Sequence, residues 1–128
     1  MEYSGRNNYE EIEFKDLKGQ ILTQIEVDQI NDTIKFYTSD KEYWMGHIQD
    51  CCESVYIKDI CGPIQELIGS PITLAEERSN GTEKNTYDTC TWTFYEIANK
   101  NVSITITWYG TSNGYYSEAV EFYKKKKE

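Results

Sequence analysis

No apolar run in this sequence is long enough to span a membrane, because polar or charged residues interrupt every hydrophobic stretch. The first residues, Met1 to Gly5, lack the basic start and apolar core of a secretory signal. We therefore expect a cytoplasmic protein with no membrane partner. In that compartment four cysteines are more typical of free thiols than of a disulfide framework, so we expect all four to be reduced.

Histidine and the usual ligand motifs are also scarce. The chain has one His, no C-x-x-C pair, and no glycine-rich turn that fits a phosphate-binding or dinucleotide-binding loop. Adjacent Cys51 and Cys52 would point to opposite faces of an extended chain, so they could not readily ligate one zinc ion with His47. The sequence predicts no bound metal and no cofactor.

A cysteine–histidine nucleophilic pair is the main enzymatic alternative. Cys51 and Cys52 lie close to His47 in sequence, but such chemistry also needs an activated thiol, an oxyanion donor and a cleft. Local signatures of known cysteine hydrolases are absent. The pattern favours a protein that is not an enzyme, and the cysteine-dependent enzyme remains an alternative.

The balance of charge is strongly acidic. Asp and Glu outnumber Lys and Arg by 22 to 13, which gives a formal net charge of −9. Such a field repels phosphate backbones, so we expect no direct nucleic-acid partner, whereas it suits a cationic protein surface. Four of the basic residues form the run from Lys124 to Lys127, which is typical of a solvated tail over residues 124–128.

Aromatic and β-branched residues are what the chain has in abundance, including 11 Tyr and 3 Trp. The clearest alternation predicts a two-faced strand whose buried side carries Val102, Ile104, Ile106 and Trp108. Similar patterns predict about eight short strands, the first three connected as a meander. Ile64, Leu67 and Ile68 predict one short helix that ends at Gly69.

These patterns predict a mainly β or α+β fold. We expect a single antiparallel sheet-based domain of about eight short strands with one short helix, over residues 17–123. Residues 1–16, polar and rich in Glu, are expected to form a flexible or weakly helical arm in which Ile12 and Phe14 could dock on the domain. Residues 124–128 form the lysine-rich tail.

The chain has more aromatic side chains than a single hydrophobic core could bury. On each strand one parity faces the core, so a ring such as Tyr109 beside Trp108 is pushed to the other face. This predicts a ring-lined surface or pocket that would suit a planar ligand or another subunit. The alternative is that Tyr serves only as a good strand former. The candidate ligand-binding residues are Tyr43, Trp44, His47, Tyr109, Asn113, Tyr115 and Tyr116.

Three pieces of the chain are distinctive: GHIQDCCESVYIKDICG with the following IQELIGSPI, then TWTFYEIA, then ITWYGTSNGYYSEAV. From about Leu17 to Phe122 they resemble a family of small uncharacterised proteins of phages and bacteria. That family has no established activity, so the resemblance implies no site residue. It implies a phage-associated protein acting in the cytoplasm of a bacterial host. Pro63 stands where we expect an acidic residue in the family.

Two binding functions follow as hypotheses. The leading one is a non-enzymatic, phage-associated binding protein whose aromatic-rich surface or pocket sequesters a small polar or nucleotide-like ligand, such as a host defence signal. The alternative is an acidic inhibitor, or nucleic-acid mimic, that occupies a basic surface on a host or defence protein. Assembly into a homo-oligomer stays open.

Overall fold

Two antiparallel sheets make up the computed structural model, which describes residues 9–49, 52–80, 83–85, 88–112 and 117–126. The strands are β1 (Tyr9–Glu11), β2 (Gln24–Asp28), β3 (Thr33–Tyr37), β4 (Lys41–Gly46), β5 (Ser54–Cys61), β6 (Leu74–Ser79), β7 (Glu83–Asn85), β8 (Asp88–Ala98), β9 (Ser103–Ser112) and β10 (Glu121–Lys126). Two 3-10 turns span Phe14–Leu17 and Ile64–Leu67. The β-rich antiparallel fold class is confirmed.

Sheet 1 contains the predicted meander. Its strand order is β1-β10-β4-β3-β2, so β2, β3 and β4 are consecutive neighbours. The Asp28 carboxylate accepts backbone N–H bonds from Ile30 and Asn31, each at 3.0 Å, and thereby closes the first turn. The hydroxyl of Thr38 accepts the N–H of Lys41 at 3.0 Å and closes the second. Short polar side chains fix both turns by replacing backbone partners.

Sheet 2 has the order β5-β9-β8-β6, and β7 also pairs with β8. The β8–β9 hairpin is its centre, and Asn99 forms its turn by accepting the N–H groups of Asn101 and Val102 at 2.8 and 3.0 Å. Along β9 the predicted alternation is confirmed for Ile104, Ile106 and Trp108, which are all 0% exposed. Val102, expected on the same face, lies just before the strand and is half-buried.

The inner faces of the two sheets share one hydrophobic core. Phe14 joins them, because its ring lies 4.8 Å from that of Tyr95 in sheet 2 and 5.4 Å from that of Phe122 in sheet 1. Edge-to-face pairs of this kind add to the burial of the rings themselves. The buried members of the core are Phe14, Leu17, Leu22, Ile25, Ile34, Phe36, Tyr43, Met45, Ile57, Leu67, Ile72, Ala75, Tyr95, Ile97, Ile104, Ile106, Trp108 and Phe122.

Two edge strands are tied across the sheets by side chains. Asp32, in a left-handed backbone conformation with φ 53°, accepts the N–H of Ile57 on β5 at 3.0 Å. Gln65 donates its side-chain amide to the carbonyl of Ile25 on β2, also at 3.0 Å. Because edge strands leave backbone groups unpaired, these contacts satisfy groups that the ladders cannot.

The structure differs from the sequence prediction at three places. The expected helix is the 3-10 turn Ile64–Leu67, because Pro63 and left-handed Gly69 (φ 97°) leave too few residues for an α-helical ladder. The expected arm contributes β1 and the core residue Phe14. Residues 124–126 of the expected tail belong to β10. There the ammonium of Lys124 lies 3.8 Å from the Glu10 carboxylate.

Ile104→Ala should lower the free energy of unfolding by about 2–5 kcal/mol, because the side chain is fully buried and its removal leaves a cavity. Thr105→Ala is the matched control on the opposite face of β9 and should change it by no more than about 0.5 kcal/mol. Urea denaturation of both variants measures the difference. Equal losses would contradict the assignment of the two faces.

Candidate functional site

The two most distinctive sequence pieces meet at one end of the sandwich. The chain passes from β4 to β5 through the first crossing, residues 47–49 and 52–53 where described. It returns to β10 through the second crossing, residues 117–120. Nδ1 of His47 in the first crossing lies 2.7 Å from the carbonyl oxygen of Ala119 in the second.

His47 is held on both sides of its ring. Its Nε2 lies 2.7 Å from Oε2 of Glu53, and the two side chains are only 3% and 0% exposed. A carbonyl can only accept, so Nδ1 donates to Ala119, and a single hydrogen lies between Nε2 and Glu53. Both ring nitrogens are therefore occupied, and neither is free to take a proton from a thiol in this arrangement.

Backbone groups of the first crossing are also satisfied. The side-chain amide of Gln49 donates to the Glu53 carbonyl at 2.7 Å. The N–H of Ile48 donates to Oε2 of Glu121 on β10 at 3.3 Å. The first crossing is thus bonded within itself and to sheet 1.

Glu118 anchors the second crossing to sheet 2. Its carboxylate accepts hydroxyl hydrogen bonds from Ser112 at 2.6 Å, from Thr91 at 2.7 Å, and from Thr89. Burial acts to raise the pKa of Glu118, but these hydroxyl donors outweigh it and lower the pKa below its ordinary value.

Close approach of the second crossing depends on Gly110. A Cβ built there would lie 3.1 Å from the Cβ of Glu118, from its carbonyl oxygen and from Cγ2 of Val55. The absent side chain lets the second crossing lie directly against β9.

The cysteines do not form the expected set of four thiols. Cys61 is an exposed free thiol and Cys90 a half-buried one, whereas Cys52 is disulfide-bonded. The prediction that every cysteine is reduced is therefore wrong for Cys52; Cys51 lies outside the described residues. Within the described ranges, no group of three or more His, Cys, Asp or Glu side chains could hold a metal ion.

A second candidate site is a patch of rings on the outer face of sheet 2. This ring face consists of Tyr56 on β5, Tyr109 on β9, and Trp92 and Phe94 on β8, all half-buried. The ring centroids are 5.9 Å apart for Tyr56 and Tyr109, and 4.5 Å apart for Tyr109 and Trp92. Trp92 and Phe94 are 6.4 Å apart, with planes within 8° of parallel.

Polar groups surround the ring face. The guanidinium of Arg78 lies 5.7 Å from the Phe94 centroid and 3.5 Å from the carboxylate of Glu96. Strand register puts Asp59 and Glu76 on the same side of the sheet. The hydrogen bond between Tyr109 and the Cys90 thiol, with burial and nearby negative charge, raises the pKa of Tyr109.

The structure separates the ligand-binding residues expected from sequence. Tyr43 is a core residue, 2% exposed, and His47 is buried against Glu53. Trp44 lies on the outer face of sheet 1, where its ring centroid is 5.7 Å from that of Tyr123. Tyr109 belongs to the ring face of sheet 2.

Three of the expected residues, Asn113, Tyr115 and Tyr116, lie outside the described residues. Sequence reasoning missed Tyr56 as a site residue, although its alternation with buried Ile57 could have indicated it.

A cavity of about 460 Å³ lies between the first 3-10 turn and β6. It is lined by the apolar side chains of Phe14 and Ala75 and by charged side chains, among them Glu13, Lys15 and Glu77. Burial, followed by the charge of Glu13, raises the pKa of Glu77. This volume is in the range of small-ligand pockets, about 300–1,000 Å³.

Comparison with known families identifies the chain. A family model described as a domain of unknown function, DUF7448, matches residues 15–122. The chain belongs to this family. The resemblance to an uncharacterised family is thereby confirmed, and the DUF7448 match includes both crossings and the ring face. No curated protein and no solved structure matches the chain. No helix in the described residues is long and apolar enough to cross a membrane.

Glu118→Gln should destabilise the domain at neutral pH, because the amide replaces one acceptor oxygen with a donor beside three hydroxyls. The folded-state pKa of Glu118 is lowered, so the contribution of the carboxylate is present above its unfolded-state pKa and is lost as pH falls through the folded-state pKa. The unfolding free energies of wild type and variant should therefore converge in acid. Urea denaturation at a series of pH values measures this, and a difference that does not change with pH would contradict it.

Proposed function

We propose that this chain is a non-enzymatic binding protein whose recognition surface is the ring face. The observation that carries the proposal is the contiguity of four half-buried rings on three adjacent strands, on the side of sheet 2 that faces away from the core. Rings on this side add nothing to the shared core, and exposed aromatic patches are typical of interaction sites. Trp and Tyr with a neighbouring Arg are also the residues most enriched among binding hot spots.

The partner that fits best is a protein with a basic surface. The ring face lies on a sheet surface, whereas small-molecule sites are usually concave. Asp59, Glu76 and Glu96 lie beside the rings, and the whole chain carries a net charge of −9. Such a field attracts a cationic partner and repels phosphate-rich ligands, nucleotides included.

The biological setting of the proposal comes from the resemblance to phage and bacterial proteins. A phage-encoded acidic protein that occupies a basic surface on a host or defence protein would act as an inhibitor in the bacterial cytoplasm. The occupied ring nitrogens of His47 support a role without catalysis.

Trp92→Ala should weaken partner binding by about 2 kcal/mol, as for an anchoring ring, with a stability loss of only about 1 kcal/mol. Tyr37→Ala is the control, because Tyr37 is a half-buried ring on sheet 1. The partner would be captured from bacterial lysate with wild type, identified, and titrated with all three proteins at two salt concentrations. We expect the wild-type affinity to fall with salt.

The proposal is wrong if Trp92→Ala binds the captured partner as tightly as wild type does. Equal losses for Trp92→Ala and Tyr37→Ala would likewise indicate unfolding or a different surface. If the affinity does not change with salt, the ring face would still be the binding surface, but the hypothesis of a basic partner would be excluded.

The cavity beside β6 supports a second candidate function, the binding of a small polar ligand. Its lining of charged and apolar side chains could hold a molecule with both polar and apolar parts. Native mass spectrometry of protein purified from its host should then show a retained small molecule that Glu77→Ala loses and Trp92→Ala keeps. Detection of the bare chain alone, under conditions that preserve a control complex, would contradict this candidate.

A further inference from the structure

We propose that His47 and Glu53 form a proton-dependent latch that holds the two crossings of the sandwich together. The proposal does not depend on the ring face. His47 follows β4, Glu53 precedes β5, and Ala119 lies just before β10, so the contacts of one imidazole join the segments that exchange strands between the sheets.

The donors and acceptors in these two contacts determine how many protons the latch needs. Nδ1 must carry a hydrogen because the carbonyl of Ala119 can only accept. Nε2 and Oε2 of Glu53 are 2.7 Å apart, which requires one hydrogen between them. The contact between the two side chains therefore contains one shared proton, whichever partner carries it.

Either change in that proton count weakens the latch. Loss of the proton leaves the lone pair of Nε2 facing a carboxylate, so two acceptors meet without a donor. Gain of a second proton neutralises Glu53 and leaves a buried imidazolium without its counter-charge, which is costly in a site this enclosed. The attachment of the second crossing should thus be strongest at intermediate pH and weaker on both sides.

Other titratable groups lie close to the latch. Glu121 accepts the N–H of Ile48 and the hydroxyl of Tyr123, and Glu118 is bound to the hydroxyls of sheet 2 next to Ala119. Because these carboxylates also bind the crossings, the acid side of the pH response does not isolate the latch. The alkaline side is therefore the cleaner test of the His47–Glu53 pair.

Glu53→Gln removes the need for the shared proton while keeping the size and shape of the side chain. The introduced amide can donate to Nε2 of a neutral imidazole, and Nδ1 still donates to Ala119. Amide hydrogen exchange would be followed at Ile48 and Ala119, from neutral to alkaline pH, in wild type, Glu53→Gln and the control Glu26→Gln. As the pH rises, protection of these amides in wild type and in the control should fall about tenfold further than in Glu53→Gln. A tenfold loss is the effect of losing one hydrogen bond.

A loss of protection that is the same in Glu53→Gln and wild type would overturn the proposal, as would constant protection in wild type. If Glu53→Gln does not fold, wild type alone still decides. The chain has a single His, so its ring ¹⁵N resonances are unambiguous. Ring and amide changes over the same pH interval support the latch, and changes over separate intervals overturn it.

Discussion

The arrangement of the two sheets depends on how the chain crosses between them, and His47 is where the crossings are joined. The first crossing separates β4 from β5, and the second delivers β10 to its place beside β4. Contacts of His47 with Glu53 and Ala119 bring the two crossings together at one end of the core. Removing one partner from such a buried pair would leave an uncompensated polar group, so the pair constrains both segments at once.

Glycine and hydroxyl groups complete this constraint on the side of sheet 2. Gly110 allows the second crossing to approach β9, and Ser112 and Thr91 then bind Glu118. The histidine alone would fix only one point of the second crossing. With Glu118 bound to sheet 2, the crossing is held at two successive residues.

The sequence was most informative where one face of a strand is buried and the other is not. Ile104, Ile106 and Trp108 could be assigned to the core because the side-chain period of a strand is two. A single ring among Glu and Lys residues has no such period, so the sequence predicted that Phe14 could dock but not that its ring joins the two sheets. Division into two sheets also has no local signal, since it depends on which strands pair after the crossings.

The candidate site was predictable only in part, for a related reason. Alternation indicates that Tyr109 and Trp108 point to opposite faces of their strand, and that Trp44 and Tyr43 do the same on theirs. It does not indicate that Tyr109 and Trp44 belong to different sheets, on opposite sides of the molecule. The contact of His47 with Glu53 and Ala119 depends on both crossings, so a spacing in sequence could not reveal it.

The two outer faces carry similar rings but differ in how those rings are held. On sheet 1, the hydroxyls of Tyr9 and Tyr37 donate to Glu42 and Glu26, each at 3.0 Å. Burial, the bond to Glu42 and its charge together raise the pKa of Tyr9 to about 12. The Trp44 ring also covers Gly46, where an added Cβ would lie 2.7 Å from it. These rings are committed to contacts within their own face.

On sheet 2 the rings instead pack chiefly against one another. Trp92 contacts the rings of Tyr109 and Phe94, and Arg78 lies over Phe94 at the end of the row. A side chain whose polar atoms are already bonded to carboxylates in its own face has less to offer a partner than one that contributes mainly apolar ring surface. This difference between faces of similar composition is why we propose recognition by sheet 2 and not by sheet 1.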